Sequence, residues 1–245
     1  MPGVQIGPGT RVLVTGASRG IGQAVASAFA ASGCEVGRVS RSGELAADVS
    51  DPDSIAAAVS DFGTVDVLVA NAGIAHYMPF KDMPLADVEE LTRVNWMGTV
   101  HTVRAALPGM LSRRHGQVVI VSSGAGIRSF PNAAVYGATK AAQRGFGEAL
   151  RHELKGSGVG VTMVYPGQIH SGLHDHERER MPRWYRPERT SPPEPLADAI
   201  VAGVEKGSRE VFYPPVVRLL RIVHGLQPGL ADLMLRRIMH RSAAP

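Results

Sequence analysis

The sequence predicts an α/β fold: one doubly wound, parallel sheet of about seven strands, covered by helices on both faces in a single domain. Three observations carry that prediction. Strand-like and helix-like segments alternate from residue 11 to residue 213. The strand-like runs, such as 12–14 and 118–121, are apolar without alternation, the pattern of strands buried on both faces. The length of 245 residues suits one α/β domain with a sizeable core.

The elements follow in order. Residues 11–15 read as a buried strand ending in a glycine turn. Residues 20–32 are Ala-rich with helical spacing, and Gly33 stops them. A second strand covers 35–40, and 45–49 has the character of a short third. Only six residues separate Arg41 from Asp48, so the crossover there must be a loop, where a helix is usual. Residues 54–62 form a helix, with Pro52 near its start. A fourth strand covers 65–71, and a long helix, interrupted near Pro108, covers 85–114. A fifth strand (117–122), a helix (134–155), a sixth strand (159–165), a helix (196–206) and a seventh strand (210–213) complete the alternation. The catalytic domain is thus expected over 1–213, with a charged, Pro-rich lid at about 167–195 and a basic amphipathic tail over 214–245.

Composition narrows the function. The net charge of +4, from 26 basic and 22 acidic residues, mildly favours an anionic ligand. No basic run is interleaved with aromatics, which argues against nucleic acid. The single cysteine, Cys34, excludes an internal disulfide and reads as a small buried residue; a cytoplasmic setting is expected. No signal peptide and no spanning segment are expected, because no basic start with an apolar run and no stretch of about 18 apolar residues is present.

Directly after the first strand stands Thr15-Gly16-Ala17-Ser18-Arg19-Gly20-Ile21-Gly22. Glycines there permit a tight turn, close approach of a pyrophosphate and close helix–strand packing. The following helix offers unpaired N–H groups and the positive end of its dipole to phosphates. With 28 glycines in the chain the spacing alone is weak; its place between strand and helix makes it a Rossmann-type dinucleotide signature. The second strand ends in Ser40-Arg41-Ser42. An acid at this point would hold a ribose 2′-hydroxyl, whereas an arginine accommodates a 2′-phosphate. Arg41, with Arg19 in the glycine turn, points to NADP(H).

Tyr136 and Lys140 stand four apart on a helix and share one face. A phenol of ordinary pKa ~10 is a poor base at neutral pH, but a neighbouring ammonium favours its phenolate. Such a pair can pass a proton to or from an alcohol oxygen. Ser123 lies at the C-terminal end of the fifth strand, the edge where open α/β sheets bind ligands. Ser122 is its rival, and strand alternation turns it the opposite way.

These residues, in this order, resemble the short-chain dehydrogenase/reductase family over about residues 10–170. The turn at 15–22 is similar to the family's TGxxxGxG, Asp48-Val49 to its adenine-contacting pair, and Asn71-Ala72-Gly73 to its NAG motif. Asn95, Ser123, Tyr136 and Lys140 match the family's catalytic tetrad. Pro166-Gly167 matches its PG motif, and Ser171 stands where PGxxxT has threonine. The resemblance implies NADP(H)-dependent interconversion of a carbonyl compound and an alcohol, with Tyr136 as general acid/base. It further implies that Lys140 binds the nicotinamide ribose, Ser123 hydrogen-bonds the substrate oxygen, and Asn95 holds a water linking Lys140 to solvent. Gly16, Ser18, Arg19, Gly20, Ile21, Ser40, Arg41, Asp48, Val49, the 71–73 motif, Pro166, Gly167, Ile169 and Ser171 are the expected cofactor contacts. A homodimer or homotetramer paired through the two long helices is implied on the same ground.

Weaker signals remain. His170, His174 and His176 lie close together, but no metal site is expected in a charged lid without nearby cysteine. Met181, Trp184 and Tyr185 in the lid, and His76, Tyr77 and Met78 after the 71–73 motif, suit an apolar substrate. The tail over 216–241 mixes Leu219, Leu220, Ile222 and Val223 with Arg218 and Arg221, and Leu230 and Leu233 with Arg236, Arg237 and Arg241. It would pack on the core or a partner subunit, or touch a membrane surface. A dinucleotide-binding regulator without turnover is the alternative function, and it predicts a damaged catalytic set. An epimerase or dehydratase would need a larger substrate domain than the residues after Tyr165 leave.

Overall fold

Seven parallel strands lie in the order β3-β2-β1-β4-β5-β6-β7. The computed structural model describes residues 3–173, 177 and 190–241, without the side chains of 234–236 and 238–241. The strands are β1 (Arg11–Thr15), β2 (Glu35–Ser40), β3 (Leu45–Ala46), β4 (Val67–Ala70), β5 (Gly116–Val121), β6 (Val159–Pro166) and β7 (Glu210–Tyr213). The helices are α1 (Gly20–Ala31), α2 (Pro52–Phe62), α3 (Leu85–Leu91), α4 (Gly98–Arg113), α5 (Ala134–Glu153), α6 (Glu194–Glu205), α7 (Val216–Leu226) and α8 (Pro228–Arg241).

Alternation along each strand divides the core. Val12 and Val14 of β1, Val67 and Val69 of β4 and Val119 and Val121 of β5 face α1 and α6, where Val25, Phe29, Leu196 and Ile200 meet them. Leu13, Leu68, Val118 and Ile120 face the other layer, against Ile55, Phe62, Val103, Met110 and Leu150. Both faces being apolar, no polar–apolar alternation appears in the sequence. The strand order reverses direction between β1 and β4, and the crevice beyond their carboxyl ends is the place for a ligand. Cys34 is buried at the start of β2.

The loop expected between the second and third strands is present. Residues 41–44 carry the chain back so that Val39 pairs with Leu45 in parallel. The third strand itself ends at Ala46 rather than at 49. There the Asp48 carboxylate accepts hydrogen bonds from Ser50 N and Oγ at 2.8 and 2.7 Å, a local turn that competes with the ladder. In α2, Asp51 caps the first turn through Asp53 N and Ser54 N, and Pro52 is the first helical residue.

The long helix over 85–114 breaks elsewhere than expected. Pro108 lies inside an uninterrupted α4. Both Pro108 and Arg104, whose carbonyl loses its donor, are exposed, so solvent supplies the missing bond. The irregularity falls instead at 92–97, a π-helical turn between α3 and α4. It leaves the Asn95 carbonyl to accept from Gln143 Nε2 and Thr99 Oγ1, both at 2.9 Å.

The tail is two helices laid across the body. Val217 is buried in the core and Leu220 packs against it. Arg221 of α7 pairs with Glu148 at 2.9 Å and Glu210 at 3.5 Å. Among the described residues no helix is long and apolar enough to cross a membrane. The lid residues His174, His176, Met181, Trp184 and Tyr185, and the tail side chains of Met234, Leu235, Arg236, Ile238 and Arg241, fall outside the described residues.

Candidate active site

A cleft of about 980 Å³ opens along the carboxyl edge of the sheet. At one end lies the glycine turn. Gly16 has φ +68°, and a Cβ there would stand 2.8 Å from Ala72 Cα. A Cβ on Gly22 would stand 2.2 Å from the Gly16 carbonyl oxygen. Asn71 locks this turn to the β4 end: Nδ2 donates to Thr15 O at 3.0 Å and Gly16 O at 3.3 Å. Thr15 Oγ1 accepts from Asn71 N and Ala72 N at 3.1 and 3.2 Å. No side chain caps the start of α1, so its N-terminus is available to an anion. A backbone this close-fitting, before an uncapped helix, fits a dinucleotide pyrophosphate.

Ser18, Arg19 and Ile21 line this end, and Ser40, Arg41, Asp48 and Val49 continue it. The Asp48 carboxyl is held below its ordinary pKa chiefly by the backbone N–H and hydroxyl of Ser50, with the Arg41 and Arg93 charges adding. Arg93, on the π turn, also lines the cleft; nothing in its sequence neighbourhood singled it out.

Midway stand Ser123, Tyr136 and Lys140, all lining the cleft. Ser123 accepts a hydrogen bond from Ala125 N at 3.1 Å, which fixes the turn after β5. Ser122 also lines the cleft, but its hydroxyl is engaged, donating to the Lys140 carbonyl at 2.8 Å. Lys140 Nζ donates to Val121 O at 3.2 Å and lies 5.9 Å from the centre of the Tyr136 ring. Burial lowers its pKa from 10.5 to about 8. Tyr136 is itself buried and packs edge-on against Tyr77, which also stacks on Phe130.

Three expected residues sit behind the wall rather than in it. Gly20 (φ +57°) packs under Ser171, and Ser171 and the 166–167 pair do line the cleft. The Ile169 side chain is buried between β6 and α6, so only its backbone could serve a ligand. Asn95 is fully buried. Its Oδ1 accepts from Ile74 N at 2.8 Å, and its Nδ2 donates to Ile74 O and Thr139 Oγ1 at 3.0 and 3.1 Å. Gly73 separates Asn95 from Lys140. A methyl group on it would stand 3.0 Å from Asn95 Oδ1 and 3.5 Å from Lys140 Nζ.

The far end is apolar: Phe130, Leu173, Val216, Leu219, Leu220 and Val223. The contribution of α7 to this wall was not legible beforehand, since an amphipathic helix does not announce which surface it covers. At the rim, His76 presents one ring nitrogen to Glu90 at 3.0 Å and the other to Glu177 at 3.3 Å. Two acceptors call for two ring donors. Burial opposes the charge, but the two carboxylates outweigh it and raise the His76 pKa. Among the described residues no group of three or more ligating side chains could hold a metal.

Comparison with known proteins gives the same picture. The short chain dehydrogenase family model matches residues 10–52 and 45–182. The chain belongs to the short-chain dehydrogenase family. The mouse dehydrogenase/reductase SDR family member 7B is 35% identical over 189 residues, 66% of this chain. That match spans only 58% of the mouse protein's own length. A solved short chain dehydrogenase from Burkholderia cenocepacia, in complex with NADP, superposes with a TM-score of 0.83. It shares 25% identity over 96% of this chain and 100% of that one. A 3-oxoacyl-[acyl-carrier protein] reductase from Brucella melitensis, with bound NAD, gives 0.74 at 30% identity over 85% of this chain and 90% of that one. The family is one of dehydrogenases, and the glycine turn and cleft of this chain fit a dinucleotide.

Proposed function

We propose that this short-chain dehydrogenase is NADP(H)-dependent and interconverts a ketone or aldehyde with the corresponding alcohol. The observation that carries the reading is the grouping of Ser123, Tyr136 and Lys140 on the wall of the cleft that begins at the glycine turn. When bound, the reduced nicotinamide supplies a hydride to the carbonyl carbon. Tyr136 donates its phenolic proton to the carbonyl oxygen, and Ser123 Oγ hydrogen-bonds the same oxygen and orients it. The Lys140 ammonium favours the phenolate left behind and holds the nicotinamide ribose. Asn95 serves Lys140 through the space beside Gly73, where a water within reach of Oδ1 and Nζ would return the proton from solvent. Pro166, Gly167, Ser171 and the Ile169 backbone would receive the carboxamide.

The cofactors bound in the two structural relatives differ, NADP in one and NAD in the other, so the residues of this chain decide. Arg41 follows β2 directly, Arg19 faces the same end, and Arg93 adds a third cation. This set suits a 2′-phosphate. Assembly is expected as a homodimer or homotetramer through α4 and α5, in the cytoplasm. The exposed apolar stripe of α7, Val216, Leu219, Ile222 and Leu226, has Arg218 beside it and no acid in the helix. It suits a partner subunit or an anionic membrane surface. A non-catalytic regulator is disfavoured because every catalytic position is filled.

Oxidation of NADPH and of NADH by a panel of ketones, followed by absorbance, tests the cofactor reading. Arg41→Ala should lower kcat/KM for NADPH about 10–100-fold, the worth of one or two charge-assisted hydrogen bonds, and leave that for NADH nearly unchanged. Equal losses with both cofactors, or a wild type that prefers NADH, would overturn it.

A further inference from the structure

Arg128 lines the apolar end of the cleft, five residues beyond Ser123. Its backbone N–H donates to Gly124 O at 3.0 Å, so it is mounted on the same turn that positions the serine. Its guanidinium is incompletely used. Nη1 donates to Ser129 O at 3.0 Å, and Nη2 donates to Asp232 Oδ1 of α8 at 2.5 Å. Nε is buried and makes no hydrogen bond.

Nε and Nη2 form one edge of the guanidinium, and a carboxylate can span that edge with two parallel bonds. Asp232 takes only one of the two donors. A buried N–H left without a partner is costly and in native proteins calls for an explanation. Phe130, Leu219, Leu220 and Ala231, which line the cleft with Arg128, offer no acceptor side chain. Asp232 is half exposed, with 46% of its side chain accessible, and so can withdraw without leaving a charge buried.

Resting on the carbonyl–alcohol reading above, we propose that Arg128 is the seat of a carboxylate on the substrate, which exchanges with Asp232 on the Nε–Nη2 edge. The substrate is then an amphipathic oxo acid or hydroxy acid. Its carbonyl lies at Ser123 and Tyr136, its apolar body against Phe130 and α7, and its acid on Arg128. Asp232 is the resident counter-ion in the free protein and competes with the substrate for the site. No bond is made or broken at Arg128; the group binds and orients.

The test pairs oxo acids of graded chain length with their methyl esters, as substrates of the NADPH-loaded full chain. The wild type should favour the acid of the best-fitting length over its ester by about tenfold in kcat/KM, carried mainly in KM. Asp232→Asn removes the competitor and should raise the acid-to-ester ratio about tenfold further. Arg128→Gln should bring the ratio close to one. An acid-to-ester ratio that stays near one in the wild type and in Asp232→Asn overturns the proposal even if Arg128→Gln fails to fold. Turnover of esters without discrimination sinks the acid subsite and spares the carbonyl reading. For a wild type that reduces neither member, calorimetric titration of the NADPH complex with a medium-chain fatty acid and its methyl ester isolates Arg128. Equal affinities there overturn the subsite, whereas tighter binding of the acid, lost in Arg128→Gln, upholds it while the carbonyl reading falls.

Discussion

Burial holds the Lys140 ammonium at about 8, against 10.5 for a free lysine, and the cost falls on the folded state. A lysine depressed in the folded protein binds fewer protons there than in the unfolded chain. Its destabilising contribution is therefore complete below about pH 8 and is relieved as pH rises from 8 to 10.5. Lys140→Met should raise stability at pH 7 by about 1–2 kcal/mol, the desolvation relieved less the lost bond to Val121 O. It should at the same time abolish turnover, and denaturant unfolding beside an activity assay checks both. In the proposed mechanism the charge acts in the opposite sense: kcat/KM for reduction should fall as pH rises through about 8, where Lys140 loses its proton. Gly73 bears on the same group. Gly73→Ala would occupy the space between Asn95 Oδ1 and Lys140 Nζ. It should lower kcat at saturating cofactor about tenfold or more, as a hampered proton path would.

Among the elements, the π turn at 92–97 shows most clearly where sequence reasoning stops. A helix over 85–114 is written in its period, but one extra residue in one turn alters no period. Proline was the visible breaker, yet Pro108 is accommodated because its face is wet. The turn is held from another helix, by Gln143 of α5 bonding Asn95 O and Thr99 Oγ1. Gln143→Leu should cost about 1–3 kcal/mol, since it removes two buried hydrogen bonds, to Asn95 O and Thr99 Oγ1, and chemical denaturation would register it. Strands and crossovers were legible because double burial removes alternation, and the absent helix between β2 and β3 was legible by counting residues. The glycine turn, Ser123, Tyr136 and Lys140 were legible because their chemistry demands fixed types at fixed spacing. Arg93, Arg128 and the α7 wall were not, because each reaches the cleft by tertiary packing alone.

At the scale of the molecule, two apolar layers on one parallel sheet leave a crevice where the strand order reverses, and the tail closes its far end. That closure makes α7 two-sided: Val217 is buried in the core, while Leu226 is 75% exposed. Val217→Asp should destabilise the fold by about 3–5 kcal/mol, as an unpaired charge in a core does. Leu226→Asp should stay within about 0.5 kcal/mol; similar losses for the two would mean that α7 is docked otherwise. In the proposed function, this architecture serves the placing of one phenol beside a bound dinucleotide. The most direct test is single-turnover reduction of a ketone by wild type and Tyr136→Phe, with NADPH affinity titrated for both. The account predicts unchanged NADPH affinity and a rate lower by about 10²–10⁴-fold, the worth of a general acid. A phenylalanine variant that binds NADPH and reduces the ketone at the wild-type rate would contradict it.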